Sequence, residues 1–294
     1  MDNMTALVSA FARAYHGASG GGVFVDALAG KLLTDGEYAA ISKNMADGVA
    51  YFAPGFEGTR EEALRLIVER QLAPSVLARS AFCERAIDNA RRLGCRQVAV
   101  FACGYDTFAL RATDAALSVY ELDRPEMIAD RRRRVERAKL APMCRVADIG
   151  CDLSRPEWKE KLVQAGFDAK KPAFASLLGI SYYLSREDFA ALVGGIASLW
   201  CEGSSLCFDY PMANGGEESA RNRELAAAAG EAMKAKYAYA EIEALLSDAG
   251  FLIYEHLDAA EATGAFFAAH NRANAGHEMA APEGVGYCLA VRKG

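Results

Sequence analysis

The chain has 294 residues, of which 52% are hydrophobic and 24% charged, with a formal net charge of −6 at pH 7. This length allows a sizeable core and agrees with one α/β domain that carries additions. The negative charge argues against a broad nucleic-acid surface, and no apolar stretch approaches the roughly 20 residues that cross a bilayer.

Cysteines and histidines give no sign of metal or redox chemistry. None of the eight cysteines forms a C-x-x-C pair, several lie in apolar runs, and the four histidines are scattered. We therefore expect buried, reduced thiols and no metal site. Because an acid precedes the first arginine, Arg13, the start of the chain does not read as a secretory signal, and we expect a cytoplasmic protein.

The first part of the chain, residues 1–93, is predicted to form an N-terminal helical cap. Apolar residues recur at three- and four-residue spacing in ALVSAFARAY, EYAAISKNMADGVAYF and TREEALRLIVERQL. Thr59 and Glu62 form a capping-box pattern at the start of the third helix. A fourth helix begins near Pro74 and is expected to stop at Gly94.

From residue 94 to the end, segments typical of strands alternate with segments typical of helices. The predicted strands are RQVAVFA, SVYELD, CRVADI, AFASLLG, SSLCFDY, FLIYEHL and GYCLAVRK. Such alternation predicts an α/β fold with a mostly parallel sheet of seven strands and helices on both faces. Polar, alanine-rich sequence at about 211–238 is interpreted as a lid insertion.

One basic run, ADRRRRVERAK, lies in a predicted helix. Its four consecutive arginines, residues 131–134, could form a phosphate-binding patch or a solvated helix face. A solvated face is the more common origin of such a run, and we expect it here.

The first predicted strand runs directly into a glycine turn, in QVAVFACGYDTFALR. Parallel sheets bind ligands at this carboxyl edge. The turn has only Gly104 where a dinucleotide motif has three glycines, and no P-loop pattern is present. Asp123 closes the second strand and Asp152 follows the third, so carboxylates are available for ribose hydroxyls and an adenine amine. These features predict a cofactor that contains adenosine but no phosphate.

An ordered set of segments between about Arg79 and Tyr210 resembles the leucine carboxyl methyltransferase family of S-adenosylmethionine-dependent enzymes. The segments are ARSAFCERAID, QVAVFACGYDTFALR, VYELDRP, CDLSRPEW, GFD and SLLGISYYLS. The bacterial O-methyltransferase branch is the more similar one. The resemblance implies a Rossmann-like class I methyltransferase fold, a single domain over residues 1–294, and S-adenosyl-L-methionine as the cofactor.

The same resemblance assigns roles around the methionyl end of the cofactor. Arg79 would grip the methionyl carboxylate, for which a planar guanidinium is well suited. Gly104 would allow the backbone to approach the cofactor closely. Asp106 would either cap the following helix or bond the cofactor amine.

At the other end of the cofactor, the resemblance implies that Asp123 holds the ribose. Glu121, two residues earlier on the same strand face, is the alternative. Asp152 and Leu153 would contact the adenine.

The chain departs from the family pattern at two positions, and a third position matches a substrate-side tyrosine. Ala102 stands where the family has the first glycine of the strand-end motif, and Leu178 stands where eukaryotic members carry a glutamate. Ala102 and Leu178 are both candidate cofactor contacts. Tyr183 is either a catalytic residue on the substrate side or an aromatic packed beneath the lid.

We expect O-methylation of a carboxylate or hydroxyl of a small molecule. A carboxylate acceptor needs no base but needs a positioning group, for which Tyr183 and Arg111 are candidates, whereas a hydroxyl acceptor needs a base. His256, the histidine nearest the expected edge, is interpreted as structural. The alternatives are a non-catalytic cofactor-binding protein and a protein carboxyl methyltransferase; a nicotinamide oxidoreductase is disfavoured by the single-glycine turn, and a scaffold role by the acids at strand ends.

Overall fold

The computed structural model describes residues 3–215 and 233–294. Its N-terminal part is helical, as predicted, and the third predicted helix starts with the capping box of Thr59 and Glu62. A π-helical turn, Val68–Leu72, joins the third and fourth predicted helices. The helices are α1 (Met4–Ala18), α2 (Ala29–Leu32), α3 (Asp35–Asp47), α4 (Val49–Phe52), α5 (Arg60–Ile67) and α6 (Ala73–Arg92).

The described residues form one sheet of seven strands, in the order β3-β2-β1-β4-β5-β7-β6. The first five strands pair in parallel, and β7 runs antiparallel to both of its neighbours. The strand bounds are β1 (Gln97–Phe101), β2 (Ser118–Asp123), β3 (Arg145–Gly150), β4 (Phe174–Leu177), β5 (Ser205–Pro211), β6 (Phe251–Leu257) and β7 (Val285–Arg292). The predicted strands and the mostly parallel sheet are confirmed.

Helices cover both faces of this sheet, which explains why β1 is apolar at every position but its first. Val98 and Val100 contribute to one hydrophobic core, and Ala99 and Phe101 to the other. The helices between and after the strands are α7 (Phe108–Arg111), α8 (Pro125–Arg137), α9 (Glu157–Gln164), α10 (Arg186–Leu199), α11 (Tyr239–Asp248), α12 (Ala259–Ala262) and α13 (Ala268–Ala273), with a π-helical turn at Thr263–Phe267.

The predicted helical cap is only partly separate from the sheet. Helix α6 packs directly on the sheet, where Phe82 contacts Tyr287 and the Cys83 thiol donates to Ser176 Oγ. All eight cysteines are unpaired and seven are buried, as predicted. The division into a cap and a core within one domain stays a prediction.

The arginine run on α8 corrects one prediction. Arg131 is 4% exposed and pairs with the fully buried Glu121 on β2, so it does not belong to a solvated face. Arg134 pairs with Glu37 and Asp130 and anchors α8 to the N-terminal helices. Tertiary partners, which a helical period cannot show, draw these two side chains inward.

Most of the predicted lid, residues 216–232, lies outside the described residues. Its two ends are close together, because Met212 and Tyr237 form a parallel bridge and the Lys234 N–H donates to the Tyr182 carbonyl. Across the described part of the chain, every helix is too short or too polar to span a bilayer.

Candidate active site

A cavity of about 740 Å³ opens at the carboxyl ends of β1, β2 and β4. Strand order reverses beside β1, so this is the crevice in which doubly wound sheets bind ligands. One wall comes from α1, through residues that include Ala6 and Ser9. Seven of the predicted site residues line the cavity: Arg79, Ala102, Gly104, Asp106, Asp123, Leu178 and Tyr183.

The turn after β1 is shaped by two residues with left-handed backbone. Ala102 has a φ of 51° and Gly104 a φ of 50°. A glycine adopts this region at no steric cost, whereas an alanine is strained there, so Ala102 carries backbone strain that a glycine would avoid. A Cβ on Gly104 would lie 3.3 Å from the Ala6 Cβ, so α1 also packs closely on this turn.

Asp123 connects the end of β2 to that turn. Its Oδ2 accepts a 2.8 Å hydrogen bond from the Gly104 N–H, and its Oδ1 accepts from the N–H of Arg124. Burial raises the pKa of this carboxyl above its ordinary value, against the effect of the two backbone donors. A carboxylate is therefore held in a fixed position on the cavity wall, with lone pairs left for a ligand.

Asp106 orders the backbone on the far side of the turn. Its Oδ1 accepts a 2.7 Å hydrogen bond from the Phe108 N–H at the start of α7. The side chain also lines the cavity. Asp106 thus orders the turn that leads into α7 from the position before the N-cap residue, Thr107, and a bond to a cofactor amine from the same carboxylate stays a prediction.

A buried ion pair that the sequence analysis missed attaches α1 to this turn. Arg13 donates from Nε to Asp26 Oδ2 over 2.9 Å and from Nη2 to the Tyr105 carbonyl over 2.8 Å. Asp26 also accepts from Thr107 Oγ1. Burial raises the pKa of the Asp26 carboxyl, but Arg13 and Thr107 outweigh it, so the pKa is lowered. Arg13 and Asp26 are too far apart on α1 and its following loop for a local motif to reveal them.

Arg79 reaches the cavity from α6. Its Nη2 donates to Ser9 Oγ over 3.3 Å, and its Nη1 lies 3.8 Å from the Oδ2 of the buried Asp209. Leu178 lines the cavity beside it, and Gly179 adopts a φ of 69° where the chain turns after β4. The guanidinium is therefore placed where it can bind an anionic group in the cavity.

Tyr183 and Lys234 lie on the remaining side of the cavity. Among the described residues, no carboxylate pairs with the Lys234 ammonium, whereas Arg13, Arg79 and Arg124 each have one within 4 Å. Lys234 was not singled out from the sequence, because it falls in the alanine-rich segment interpreted as a lid.

Three residues considered from the sequence lie elsewhere. Arg111 does not line the cavity and pairs instead with Glu84, so it is unsuited to position an acceptor. The alternative ribose ligand, Glu121, is paired with Arg131, and burial raises the pKa of the Glu121 carboxyl although the Arg131 charge opposes this. His256 shares a 2.8 Å hydrogen bond with the Tyr210 hydroxyl, in agreement with a structural role.

Asp152 and Leu153 do not line the cavity. Asp152 is exposed and accepts hydrogen bonds from the N–H and hydroxyl of Ser154, and Leu153 packs against the hydrophobic core. Their adenine contacts stay a prediction. Within the residues that the structure covers, no cluster of three or more possible metal ligands occurs.

Known proteins similar to this chain point to one family. The family model of leucine carboxyl methyltransferases matches residues 6–197. YktD of Bacillus subtilis (strain 168), which carries a provisional name as an S-adenosyl-L-methionine-dependent methyltransferase, is 34% identical over 304 aligned residues, or 99% of this chain and 98% of that protein. A Mycobacterium ulcerans (strain Agy99) protein with the same provisional name is 30% identical over 156 residues, 53% of this chain and 50% of that protein.

Solved structures agree on the fold. A DUF574 family protein from Streptomyces avermitilis MA-4680 superposes with a TM-score of 0.62 at 18% identity, over 96% of both chains. A protein from Thermobifida fusca YX, provisionally named as a methyltransferase, has a TM-score of 0.57 at 18% identity, over 96% of this chain and 94% of that one. The predicted Rossmann-like class I fold is confirmed, and the chain belongs to the leucine carboxyl methyltransferase family.

Proposed function

We propose that this protein transfers a methyl group to a carboxylate or hydroxyl oxygen of a small molecule. It is an S-adenosylmethionine-dependent methyltransferase, the enzyme class of the family to which it belongs. The observation that carries the proposal is the cavity at the carboxyl edge of β1, β2 and β4, which combines a guanidinium, a buried carboxylate and a glycine turn.

The residues around the cavity fit this cofactor. A methionyl tail carries a carboxylate, and the guanidinium of Arg79 lines the cavity. Among the described residues it donates one hydrogen bond, to Ser9, so its other N–H groups can bind a ligand. A ribose carries two hydroxyls, and Asp123 presents a fixed carboxylate. The turn from Ala102 to Gly104 offers a close backbone approach but no cradle for a pyrophosphate, in agreement with a cofactor that has no phosphate.

On this basis Arg79 binds the methionyl carboxylate, Gly104 and Ala102 lie along the methionyl chain, and Asp123 accepts from the ribose hydroxyls. Leu178 packs beside the tail. Asp152 and Leu153 follow β3, which lies next to β2 in the sheet. They do not line the cavity, so the adenine would have to extend beyond it to contact them.

When bound, the cofactor supplies an activated methyl group on a sulfonium. The residues of this chain then have to align the acceptor and exclude water, because water stabilises the charged sulfonium more than the neutralised product. Tyr183 and Lys234 line the cavity, which supports assigning to them the alignment of the acceptor oxygen. No carboxylate of the described residues pairs with the Lys234 ammonium, which favours an acidic acceptor. An ionised carboxylate needs no general base.

The test is methyl transfer from a methyl-labelled cofactor to a panel of carboxylic acids, phenols and alcohols. Alkali separates the products, since methyl esters release volatile methanol and methyl ethers do not. We expect a product from at least one acid, with Lys234→Met raising its KM and Lys234→Arg largely restoring it. Label that enters only proteins of an extract would favour a protein carboxyl methyltransferase, and tight binding of S-adenosylhomocysteine with no transfer to any acceptor would favour a non-catalytic role.

A further inference from the structure

Asp209, on β5, is a buried carboxylate that does not line the cavity and has no part in the proposed binding of the cofactor. Its exposed fraction is 0%. Its Oδ1 accepts a 2.7 Å hydrogen bond from the Gly179 N–H, and its Oδ2 accepts from the Tyr182 hydroxyl over 3.0 Å and lies 3.8 Å from Arg79 Nη1. Burying a charge costs free energy, and these contacts offset that cost. We therefore expect the buried carboxylate to have a role in the protein.

The contacts of Asp209 converge on the place where Arg79 meets the turn after β4. A Cβ added to Gly179 would lie only 2.7 Å from Arg79 Nη1, so the guanidinium packs in the space that a side chain at position 179 would occupy. Ser9 on α1 accepts from Nη2 on another side. We call Ser9, Gly179 and Asp209 the Arg79 seat.

We propose that Asp209 is a positioning residue, which together with Gly179 fixes the orientation of the Arg79 guanidinium toward the methionyl carboxylate of the cofactor. This inference rests on the proposed function. The distance of 3.8 Å is too long for a hydrogen bond, so Asp209 attracts the guanidinium without occupying its donors. Arginine has many rotamers, and a guanidinium that is already oriented loses less freedom when the ligand arrives.

The test compares two ligands by calorimetry, S-adenosylhomocysteine and 5′-methylthioadenosine. The second ligand keeps the adenosine and the sulfur but lacks the amino-acid tail that Arg79 would bind. In Asp209→Asn, the amide can still accept from Gly179, but its NH₂ group then faces the donors of Arg79. We expect the dissociation constant for S-adenosylhomocysteine to rise by about tenfold or more, and that for methylthioadenosine to stay within about twofold.

Gly179→Ala provides a second variant that leaves the carboxylate in place and moves the guanidinium by contact with the new methyl group. It should show the same selective loss, even if Asp209→Asn does not fold. Gly203→Ala is the matched control for backbone strain, because Gly203 has a φ of 80° with open space around the Cβ position. Tyr287→Phe is the control for a change beside Asp209, since Tyr287 is its cross-strand partner and its hydroxyl has no hydrogen-bond partner among the described residues.

A selective loss of S-adenosylhomocysteine binding in both seat variants, absent from both controls, supports the inference. Equal losses for the two ligands would show that Asp209 only stabilises the fold. An unchanged dissociation constant for S-adenosylhomocysteine would show that Asp209 does not position Arg79, and a lower one would show that Asp209 competes with the ligand for Arg79. Each of these results overturns the inference. Wild-type protein that binds neither ligand would instead remove the proposed function itself.

Discussion

Replacing Asp123 by asparagine tests the assignment of the ribose site with little change in side-chain shape. In the structure, both carboxylate oxygens accept backbone hydrogen bonds, from Gly104 over 2.8 Å and from Arg124 over 2.7 Å. The side chain is 8% exposed, so water can replace few of its contacts. Asparagine keeps one acceptor and removes the negative charge that would strengthen bonds from the ribose hydroxyls.

Hydrogen bonds to a charged group contribute about 1.5–3 kcal/mol each, so loss of the charge should weaken S-adenosylhomocysteine binding by about that amount. This corresponds to a roughly 10- to 150-fold higher dissociation constant. For the wild type we expect a micromolar dissociation constant, which is a binding free energy of about −8 kcal/mol. Since burial raises the pKa of Asp123, the wild-type affinity should also fall as the pH is lowered toward that raised pKa, because the ligand favours the ionised form. The variant should lack this dependence on pH.

Calorimetric titration with S-adenosylhomocysteine at pH 7.5 and pH 5 measures both effects. Asp168→Asn is the matched control, because Asp168 is an acid in the loop before β4, at the opposite edge of the sheet from the cavity. A folded Asp123→Asn protein with an unaltered dissociation constant would refute the ribose assignment, and an equal loss in Asp168→Asn would show that general charge is responsible.

Three further results are expected. Gly104→Ala should lower the free energy of unfolding by about 1–2 kcal/mol, because alanine is strained at a φ of 50° and its Cβ meets Ala6; a denaturant midpoint equal to that of the wild type would contradict this. Burial lowers the pKa of His16 to about 4, so the free energy of unfolding should decrease by about 2.5 kcal/mol as the pH falls from about 6.5 to 4. His16→Gln should flatten this part of the pH profile of the denaturant midpoint, and a profile parallel to that of the wild type would contradict the assignment. Arg131→Leu should lower the free energy of unfolding by about 3–5 kcal/mol, because it leaves Glu121 buried without its partner. In the double variant with Glu121→Gln, a return toward wild-type stability would confirm the pairing, whereas additive losses would contradict it.

Much of the fold could be predicted because its central strands are buried on both faces. Strands such as β1 and β4 then appear as short apolar runs, and helices in between keep their own period, so alternation alone predicts a mostly parallel sheet. The glycine turn and Asp123 could be predicted for the same reason, since the carboxyl end of each parallel strand has a known place in the sheet. The strand order, and the antiparallel direction of β7, were not determined by the pattern.

The rest of the site depended on contacts between residues far apart in the chain. Arg131 looks like part of a solvated basic run until the fold brings Glu121 beside it, and Asp209 looks like one acid in an apolar strand until the fold brings Arg79 and Gly179 to it. By itself, the sequence determined which residues reach the carboxyl edge of the sheet, because periodicity and strand ends are local properties. Only the tertiary structure decided which charges pair there and which face the cavity, because the energy of a charge depends on partners and burial that no local segment contains.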